Sequence, residues 1–285
     1  MSAAALGDKA ASVASPTPAG ARLRIDEVSK AFLGPDGGAV EAIGSVSLDI
    51  EPGEFLAIVG PSGCGKSTLL QVIAGLMQPS GGKILLGGQD VTGEPAHMVY
   101  LFQQYSTSLL PWMTVEANVM FAFNHRLKLG KAEAVARCRA YLAMVGLADF
   151  VRHYPWQLSG GMQQRVAIAR ALAAEPKVLL MDEPFSSVDA LTRLDLHALI
   201  LDLWAAKRFT AVLVTHDVDE AIFLADRVAV LTHRPAALAE VVATKLPRPR
   251  RSIETRESPE FLALRHRLLD YLLARGRDGS HASPA

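Results

Sequence analysis

Residues 60–68, GPSGCGKST, limit the folds open to this chain more than any other stretch. They follow the apolar run 55–59 and precede the apolar run 69–73, so we expect a strand, a tight turn and then a helix. The spacing G-x-x-x-x-G-K-[ST] in that context is typical of a loop that holds nucleotide phosphates. A glycine-rich turn with a solvated lysine is the alternative, and the spacing favours nucleotide binding.

The chemistry expected of this loop follows from its residue types. Glycines lack a Cβ and allow positive φ, so successive N–H groups can turn towards one anion. The helix that begins at Lys66 adds unpaired N–H groups and the positive end of its dipole. We expect Lys66 to neutralise the outer phosphates and the Ser67 hydroxyl to bind Mg²⁺. The nucleotide-binding residues predicted here are Gly60, Pro61, Ser62, Gly63, Cys64, Gly65, Lys66, Ser67 and Thr68.

The overall composition narrows the class of protein. With 285 residues, of which 50% are hydrophobic, the chain can bury a complete core. Its 29 basic and 29 acidic residues cancel, so electrostatics give no reason to expect a nucleic-acid partner. No apolar run has the length of about 20 residues that spans a bilayer, and residues 1–20 lack the features of an export signal, so we expect a disordered cytoplasmic tail there. The two cysteines, Cys64 and Cys138, are expected to be reduced.

Strand patterns occupy both ends of the chain. Polar and apolar side chains alternate in residues 22–28 and 46–50, which predicts an antiparallel sheet. Later apolar runs predict buried parallel strands separated by helices. These strands are expected at 177–181, 210–214 and 227–231, and the helices at 190–206 and 217–224.

A stretch of helical character separates the two groups of strands. Residues 132–145 predict one helix, and Ser159 can cap a second that ends before Pro176. We therefore expect an α/β fold: a P-loop (RecA-like) core with a mostly parallel sheet, an N-terminal antiparallel β subdomain and an inserted α-helical subdomain. The predicted divisions are a tail at 1–20, the core with its antiparallel subdomain at 21–103 and 176–247, the helical subdomain at 104–175, and a C-terminal linker and helix at 248–285, with 245–251 expected to be solvated.

Two carboxylates, Asp182 and Glu183, follow the buried strand at 177–181. Ligands bind at the carboxyl ends of parallel strands, which is where the phosphate loop also opens. We expect Asp182 to hold Mg²⁺ through its water shell and Glu183 to accept a proton from an attacking water. An acidic pair that only caps the strand end is the alternative, and the upstream phosphate loop makes it the weaker one.

The sequence LSGGMQ at residues 158–163 is the most specific stretch of the chain. Ser159, Gly160 and Gly161 begin a helix and would present N–H groups to an anion, which predicts a second, weaker phosphate cradle. One domain does not need two cradles for one triphosphate.

Taken together, these features resemble the ATP-binding subunit of an ABC transporter. The resemblance rests on residues 60–68 and 158–163 together with Gln103, Asp182, Glu183 and His216, and it covers about residues 23–272. It implies that two subunits pair head to tail, with each ATP between the phosphate loop of one and the LSGG stretch of the other. The departures are Met162, where the commoner form has Gln, and Val188, where the family usually has Leu.

The resemblance also implies roles for single residues. Gln103 would sense Mg²⁺ and the attacking water, and His216 would contact the γ-phosphate. Phe32 would stack on adenine, whereas the pattern alone allows equally for a residue that covers the sheet. The implied catalytic residues are Glu183, His216, Gln103 and Lys66; the metal ligands are Ser67, Gln103 and Asp182; and the further nucleotide contacts are Phe32, Ser159, Gly160, Gly161 and Asp189.

Residues 102–112, FQQYSTSLLPW, are similar to the corresponding segment of importers for nitrate, sulfonate, taurine and related small solutes. Leu109, Leu110 and Trp112 would form an exposed apolar patch, which suggests that a membrane permease docks near Gln103 to Trp112. Ordinary core residues are the alternative.

The function predicted from the sequence is ATP hydrolysis that energises an importer of such a solute. ATP and Mg²⁺ are the expected cofactors, and the expected partners are a second copy of the chain, a permease and, indirectly, a solute-binding protein, with no nucleic acid. We expect a peripheral protein on the cytoplasmic face of the inner membrane. The alternatives are a subunit of an ABC exporter or lipid transporter, a soluble ABC-type ATPase, and a small-molecule kinase.

Overall fold

The computed structural model describes residues 20–104, 108–126 and 129–278. The tail expected at residues 1–20 lies outside these ranges except for Gly20, whose N–H donates to the carbonyl of Arg208 at 3.0 Å. No helix in the described part of the chain combines the length and apolar character needed to cross a membrane.

One sheet of ten strands runs through the described residues, in the order β5-β4-β1-β2-β10-β9-β3-β8-β7-β6. Strands β9, β3, β8, β7 and β6 are parallel, and β5, β4, β1 and β2 are antiparallel. Strand β10 joins the halves, parallel to β2 and antiparallel to β9. The expected mixed α/β fold is confirmed. The strands are β1 Leu23–Leu33, β2 Ala39–Ile50, β3 Phe55–Val59, β4 Gly81–Leu86, β5 Gln89–Asp90, β6 Met98–Leu101, β7 Val178–Asp182, β8 Thr210–Val214, β9 Arg227–Leu231 and β10 Ala236–Ala243.

Strand β3 is apolar throughout because both faces of the sheet are covered there. Phe55, Ala57 and Val59 point into one hydrophobic core, while Leu56 and Ile58 point into a second core on the opposite face. Side chains alternate between faces with a period of two, so a strand covered on both sides is apolar on both faces. Strands β7 and β8 are also buried throughout, and their polar residues are Asp182 at the end of β7 and Thr210 at the start of β8. The predicted ligand-binding residues lie at the carboxyl ends of these strands.

Seven helices cover the sheet or form the inserted subdomain within the described ranges. Helices α2, α3 and α4 pack against one another, and α4 also contacts β6. All three fall within the range 104–175 predicted for the helical subdomain. The helices are α1 Lys66–Ile73, α2 Val115–Arg126, α3 Lys131–Met144, α4 Gly160–Ala173, α5 Ala190–Lys207, α6 Val218–Leu224 and α7 Pro259–Asp278.

The prediction of a solvated linker at 245–251 was wrong for Leu246 and Arg250, which are buried, although Lys245, Pro247, Pro249 and Arg251 are exposed. The Arg250 guanidinium is buried, and its Nη1 donates to the carbonyls of Ile222, Phe223 and Ala225 at 2.8 to 3.2 Å. Carbonyls at the end of a helix lack intrahelical donors, and Arg250 supplies them at the end of α6. Arg248 pairs with Asp226 at 2.7 Å. The segment is therefore fastened to the core.

Candidate nucleotide-binding site

The phosphate loop joins β3 to α1 at the carboxyl edge of the parallel strands. Gly63 has φ of 71° and Gly65 has φ of 117°, in the left-handed region that favours glycine. A Cβ on Gly65 would lie 2.9 Å from the carbonyl oxygen of Ala42 in β2. Both the backbone conformation and this close approach therefore require glycine at position 65.

A cavity of about 540 Å³ opens at this loop. Its volume lies within the range of ligand pockets, roughly 300 to 1,000 Å³. Carboxylate, imidazole and guanidinium groups from other elements join the loop around it. The cavity is lined by Ser62, Gly63, Gly65, Lys66, Ser67, Thr68, Glu183, His216 and Arg234.

Lys66 lies at the base of the loop and is buried, with 6% of its surface exposed. Its Nζ donates to the carbonyls of Gly60 and Pro61 at 2.9 and 2.8 Å. These bonds hold the ammonium group against the loop, where it offsets the negative charge that an anion would bring.

Ser67, Asp182 and Tyr100 form a chain of hydrogen bonds beside the cavity. The Ser67 hydroxyl donates to Asp182 Oδ1, and the Tyr100 hydroxyl donates to Asp182 Oδ2, both at 2.8 Å. Burial and then the Asp182 charge raise the pKa of Tyr100, so the phenol stays a donor. Tyr100 was not predicted from the sequence, where its one signal is a hydroxyl in an otherwise apolar strand.

The Ser67 and Asp182 oxygens suit Mg²⁺, which prefers hard oxygen ligands and takes only one or two carboxylates from a protein when phosphates supply the others. Across the described ranges, no group of three or more His, Cys, Asp or Glu residues could hold a metal by itself. The donor set therefore fits a metal that enters with its substrate.

Glu183 lies between two other predicted residues. Its Oε2 accepts a hydrogen bond from Gln103 Nε2 at 3.3 Å and lies 3.1 Å from His216 Nδ1. The three residues follow β7, β6 and β8, so adjacent parallel strands bring them to one place. Glu183 has φ of 42°, and its N–H donates to the carbonyl of Val214 at 2.8 Å. This arrangement can orient a water molecule and accept its proton.

The remaining predicted contacts do not line this cavity. Ser159 caps α4, accepting from the Met162 N–H at 3.3 Å. Asp189 caps α5, and its hydrogen bonds from Thr192 lower its pKa. Ser159, Gly160 and Asp189 are exposed, as is Phe32, whose ring centroid lies 5.3 Å from the Lys30 ammonium. One chain therefore presents two separate sets of predicted nucleotide contacts.

Gly161 stands directly beside α5. A Cβ at this position would lie 2.4 Å from Thr192 Cγ2, so a larger residue would require the Thr192 side chain to move. The second glycine of the LSGG stretch therefore packs against α5 within its own chain.

A buried polar cluster behind His216 was also missed by the sequence analysis. Glu220 Oε2 lies 3.7 Å from His197 Nε2, and Arg256 Nη2 lies 3.1 Å from His197 Nδ1. Burial raises the pKa of Glu220 to about 8 and lowers the pKa of His197 to about 3, so both are neutral at intermediate pH. Asp217 caps α6 by accepting from the Glu220 N–H, while the Glu220 carboxyl is buried.

The segment predicted to dock a permease is divided between core and surface. Leu109 is 2% exposed and belongs to the hydrophobic core, as the alternative interpretation had it. Trp112 is 70% exposed. A groove of about 700 Å³ is lined by residues of β6, α2 and α4 and of the segment after β6, among them Phe102, Gln103 and Arg170. Residues 105–107 lie outside the described ranges.

Comparison with known proteins places these features in context. A family model described as ABC transporter matches residues 43–186. The ATP-binding protein BruAb2_1123 of Brucella abortus is 49% identical over 81% of this chain and 87% of its own length. The nitrate import ATP-binding protein NrtC of Synechococcus elongatus is 46% identical over 88% of this chain and 38% of NrtC.

Solved structures agree with these sequence matches. The dimeric structure of MJ0796, described as a bacterial ABC transporter cassette, has a TM-score of 0.68 and 31% identity, covering 78% of this chain and 98% of that one. A second dimeric structure of MJ0796, in a post-hydrolysis state with ADP and Pi, has a TM-score of 0.67 and 32% identity, covering the same shares.

Proposed function

The chain belongs to the ABC transporter ATP-binding family, and from that premise we propose that it hydrolyses ATP to energise an importer of a small anion of the nitrate type. The observation that carries the hydrolytic part is the contact of Glu183, which lines the phosphate cavity, with both Gln103 and His216. The identity to a nitrate import protein and the similarity of residues 102–112 support the importer part.

In this proposal each residue of the cavity has one task. Lys66 and the loop N–H groups would bind the phosphates. Ser67 and Asp182 would bind Mg²⁺, and the metal would spread the negative charge that develops on the phosphates. Gln103 and His216 orient a water molecule, and Glu183 accepts its proton. The 3.1 and 3.3 Å contacts of Glu183 support this division of roles.

We further propose that the working unit is a head-to-tail dimer. Ser159, Gly160 and Asp189 are exposed and do not line their own chain's cavity, so a second copy can bring them to the triphosphate. Phe32 would stack on the adenine from the same chain as the loop. The dimeric structures of the related cassette MJ0796 support a dimer.

The permease would dock at the face that carries Trp112 and the groove next to Gln103, which would place the chain on the cytoplasmic face of the membrane. A motion there would reach Gln103 directly, because Gln103 both lines the groove and contacts Glu183. A solute-binding protein would meet the permease rather than this chain.

Two tryptophans allow a matched test of the docking face. Trp112 and Trp156 are both 70% exposed, so Trp112→Ala and Trp156→Ala remove equal exposed rings. We expect Trp112→Ala to lose co-purification with a multispanning membrane protein from detergent-solubilised native membranes, and to lose uptake of labelled nitrate, while the purified chain still hydrolyses ATP. Trp156→Ala should keep all three. Equal behaviour of the two variants would refute the assigned face, and uptake of labelled nitrate that persists in cells carrying only a Lys66→Ala variant of the chain would refute the importer role.

A further inference from the structure

The turn between β9 and β10 stands against the phosphate loop. A Cβ on Gly60 would lie 3.1 Å from the carbonyl oxygen of Leu231, the last residue of β9, so strand and loop are in close contact. Sequence reasoning assigned no role to this turn, which has the sequence THRP at residues 232–235.

Thr232 holds the turn in one conformation. Its N–H donates to the carbonyl of Ala237, and the Ala237 N–H donates to the Thr232 hydroxyl oxygen, both at 3.0 Å. The Thr232 hydroxyl in turn donates to the carbonyl of His233 at 3.1 Å. These bonds fix the backbone from which the side chain of Arg234 extends.

Arg234 lines the phosphate cavity together with Ser62, Lys66 and His216. Its side chain is exposed, and within residues 20–104, 108–126 and 129–278 it forms no hydrogen bond or ion pair. Most arginines of the site region are engaged instead: Arg193 contacts Asp217 at 3.5 Å, and Arg256 contacts His197 at 3.1 Å. Arg234 is therefore a cation at the cavity of the phosphate loop that has no partner among the described residues.

We propose that Arg234 binds the outer phosphates of the nucleotide, as a second cation beside Lys66. A guanidinium group offers five N–H donors in a planar fork that matches two phosphate oxygens at once, whereas the Lys66 ammonium acts as a point charge. Arg234 lines the same cavity as Glu183 and His216, which mark the position of the terminal phosphate, so its contact is greater with a triphosphate than with a diphosphate. The inference deepens the proposed function and rests on it.

The alternative role for Arg234 is a solvated turn residue, which predicts no effect on nucleotide affinity. The structure favours phosphate binding because the turn is rigid and packs on the loop, so the side chain starts from a fixed point beside the cavity. A fixed backbone reduces the conformational entropy that is lost when a long side chain binds a ligand.

The test measures the affinity of the full-length chain for MgATP and MgADP by titration calorimetry. We expect Arg234→Ala to weaken MgATP binding about tenfold, in line with the loss of a hydrogen bond between charged groups, and to weaken MgADP binding less. Arg234→Lys should restore part of the affinity, and the Ala variant should depend less on salt than the parent. Arg251→Ala is the matched control, because Arg251 is exposed and does not line the cavity, and it should bind like the parent.

Each result has one meaning. Equal MgATP affinity in the parent and Arg234→Ala overturns the inference, as does equal loss of MgATP and MgADP affinity in the Ala and Lys variants with a lowered melting temperature. Should Arg234→Ala fail to fold, Arg234→Gln takes its place with the same expectations. A parent chain that neither binds nor hydrolyses ATP overturns the proposed function itself, whatever the variants do.

Discussion

Replacing Ser159 by Asp tests whether the LSGG stretch meets a partner's triphosphate. Ser159 is exposed at the start of α4, where its hydroxyl oxygen accepts from the Met162 N–H at 3.3 Å. Asp is as good an N-cap as Ser, so the folded chain should lose little stability. The substitution does place a carboxylate in a position that, in a head-to-tail dimer, faces phosphate oxygens.

The magnitude follows from Coulomb's law. Two unit charges about 4 Å apart repel by roughly 4 kcal/mol at an effective dielectric constant of about 20. A difference of about 4 kcal/mol is close to a thousandfold in an equilibrium or rate constant. Ser159→Asn is the matched control, because Asn also caps helices and has nearly the size of Asp but no charge. We expect it to stay within about tenfold of the parent.

The assay is steady-state ATP hydrolysis, with thermal unfolding to show that both variants are folded. A mixture with Lys66→Ala adds a second measurement, since each site of the dimer would take Lys66 from one chain and Ser159 from the other. The mixed dimer of Ser159→Asp and Lys66→Ala keeps one complete site, so equal amounts should give about a quarter of the parent sites. Equal activity of the Asp and Asn variants, or a mixture no better than its separate components, would refute the reasoning.

Three further outcomes follow from contacts described above. Glu183→Gln should lower turnover about 10² to 10⁴-fold while keeping ATP bound, since the amide oxygen can still accept a hydrogen bond from Gln103. Turnover at the parent rate would show that Glu183 is not the base. Arg250→Met should lower the free energy of unfolding in urea by about 2 to 4 kcal/mol, because three carbonyls lose their donor. Arg251→Met, at an exposed position, should change the free energy of unfolding by less than about 0.5 kcal/mol. Equal values for the two variants would contradict the role of Arg250. Burial raises the pKa of Glu220 from 4.5 to about 8, so the parent should lose stability as pH rises through that interval, whereas Glu220→Gln should not. A difference in melting temperature between the parent and Glu220→Gln that stays constant from pH 5 to 9 would contradict this expectation.

Local patterns were enough to predict much of the fold. The phosphate loop depends on glycine spacing over nine residues, and β3, β7 and β8 depend on apolar runs that only a doubly covered sheet explains. Asp182 and Glu183 could be proposed because they directly follow such a run. Their neighbours Gln103 and His216 needed the family resemblance, since a lone Gln or His carries no pattern of its own.

Contacts that join distant segments could not be predicted. Tyr100 is one hydroxyl in an apolar strand, and only the pairing of β6 with β7 shows that it binds Asp182. Arg234 lies in a four-residue turn, which is too short to show a periodic sequence pattern. Arg250 was assigned to a solvated linker because its neighbours are Pro and Arg, yet the unpaired carbonyls at the end of α6, over twenty residues earlier, bind it. Composition describes a segment, whereas the partner of a buried charge is set by topology.

The short helix α6 begins directly after His216 and is held from several sides by residues near the C-terminus. Arg250 binds the carbonyls at its end, Arg256 lies against the ring of Phe223 at 4.0 Å, and Arg265 pairs with Asp219 at 2.9 Å. These three arginines thus hold in place the helix that follows His216. A deletion, fusion or ligand that loosened these contacts would shift His216, although no residue after Arg234 lines the cavity among those described.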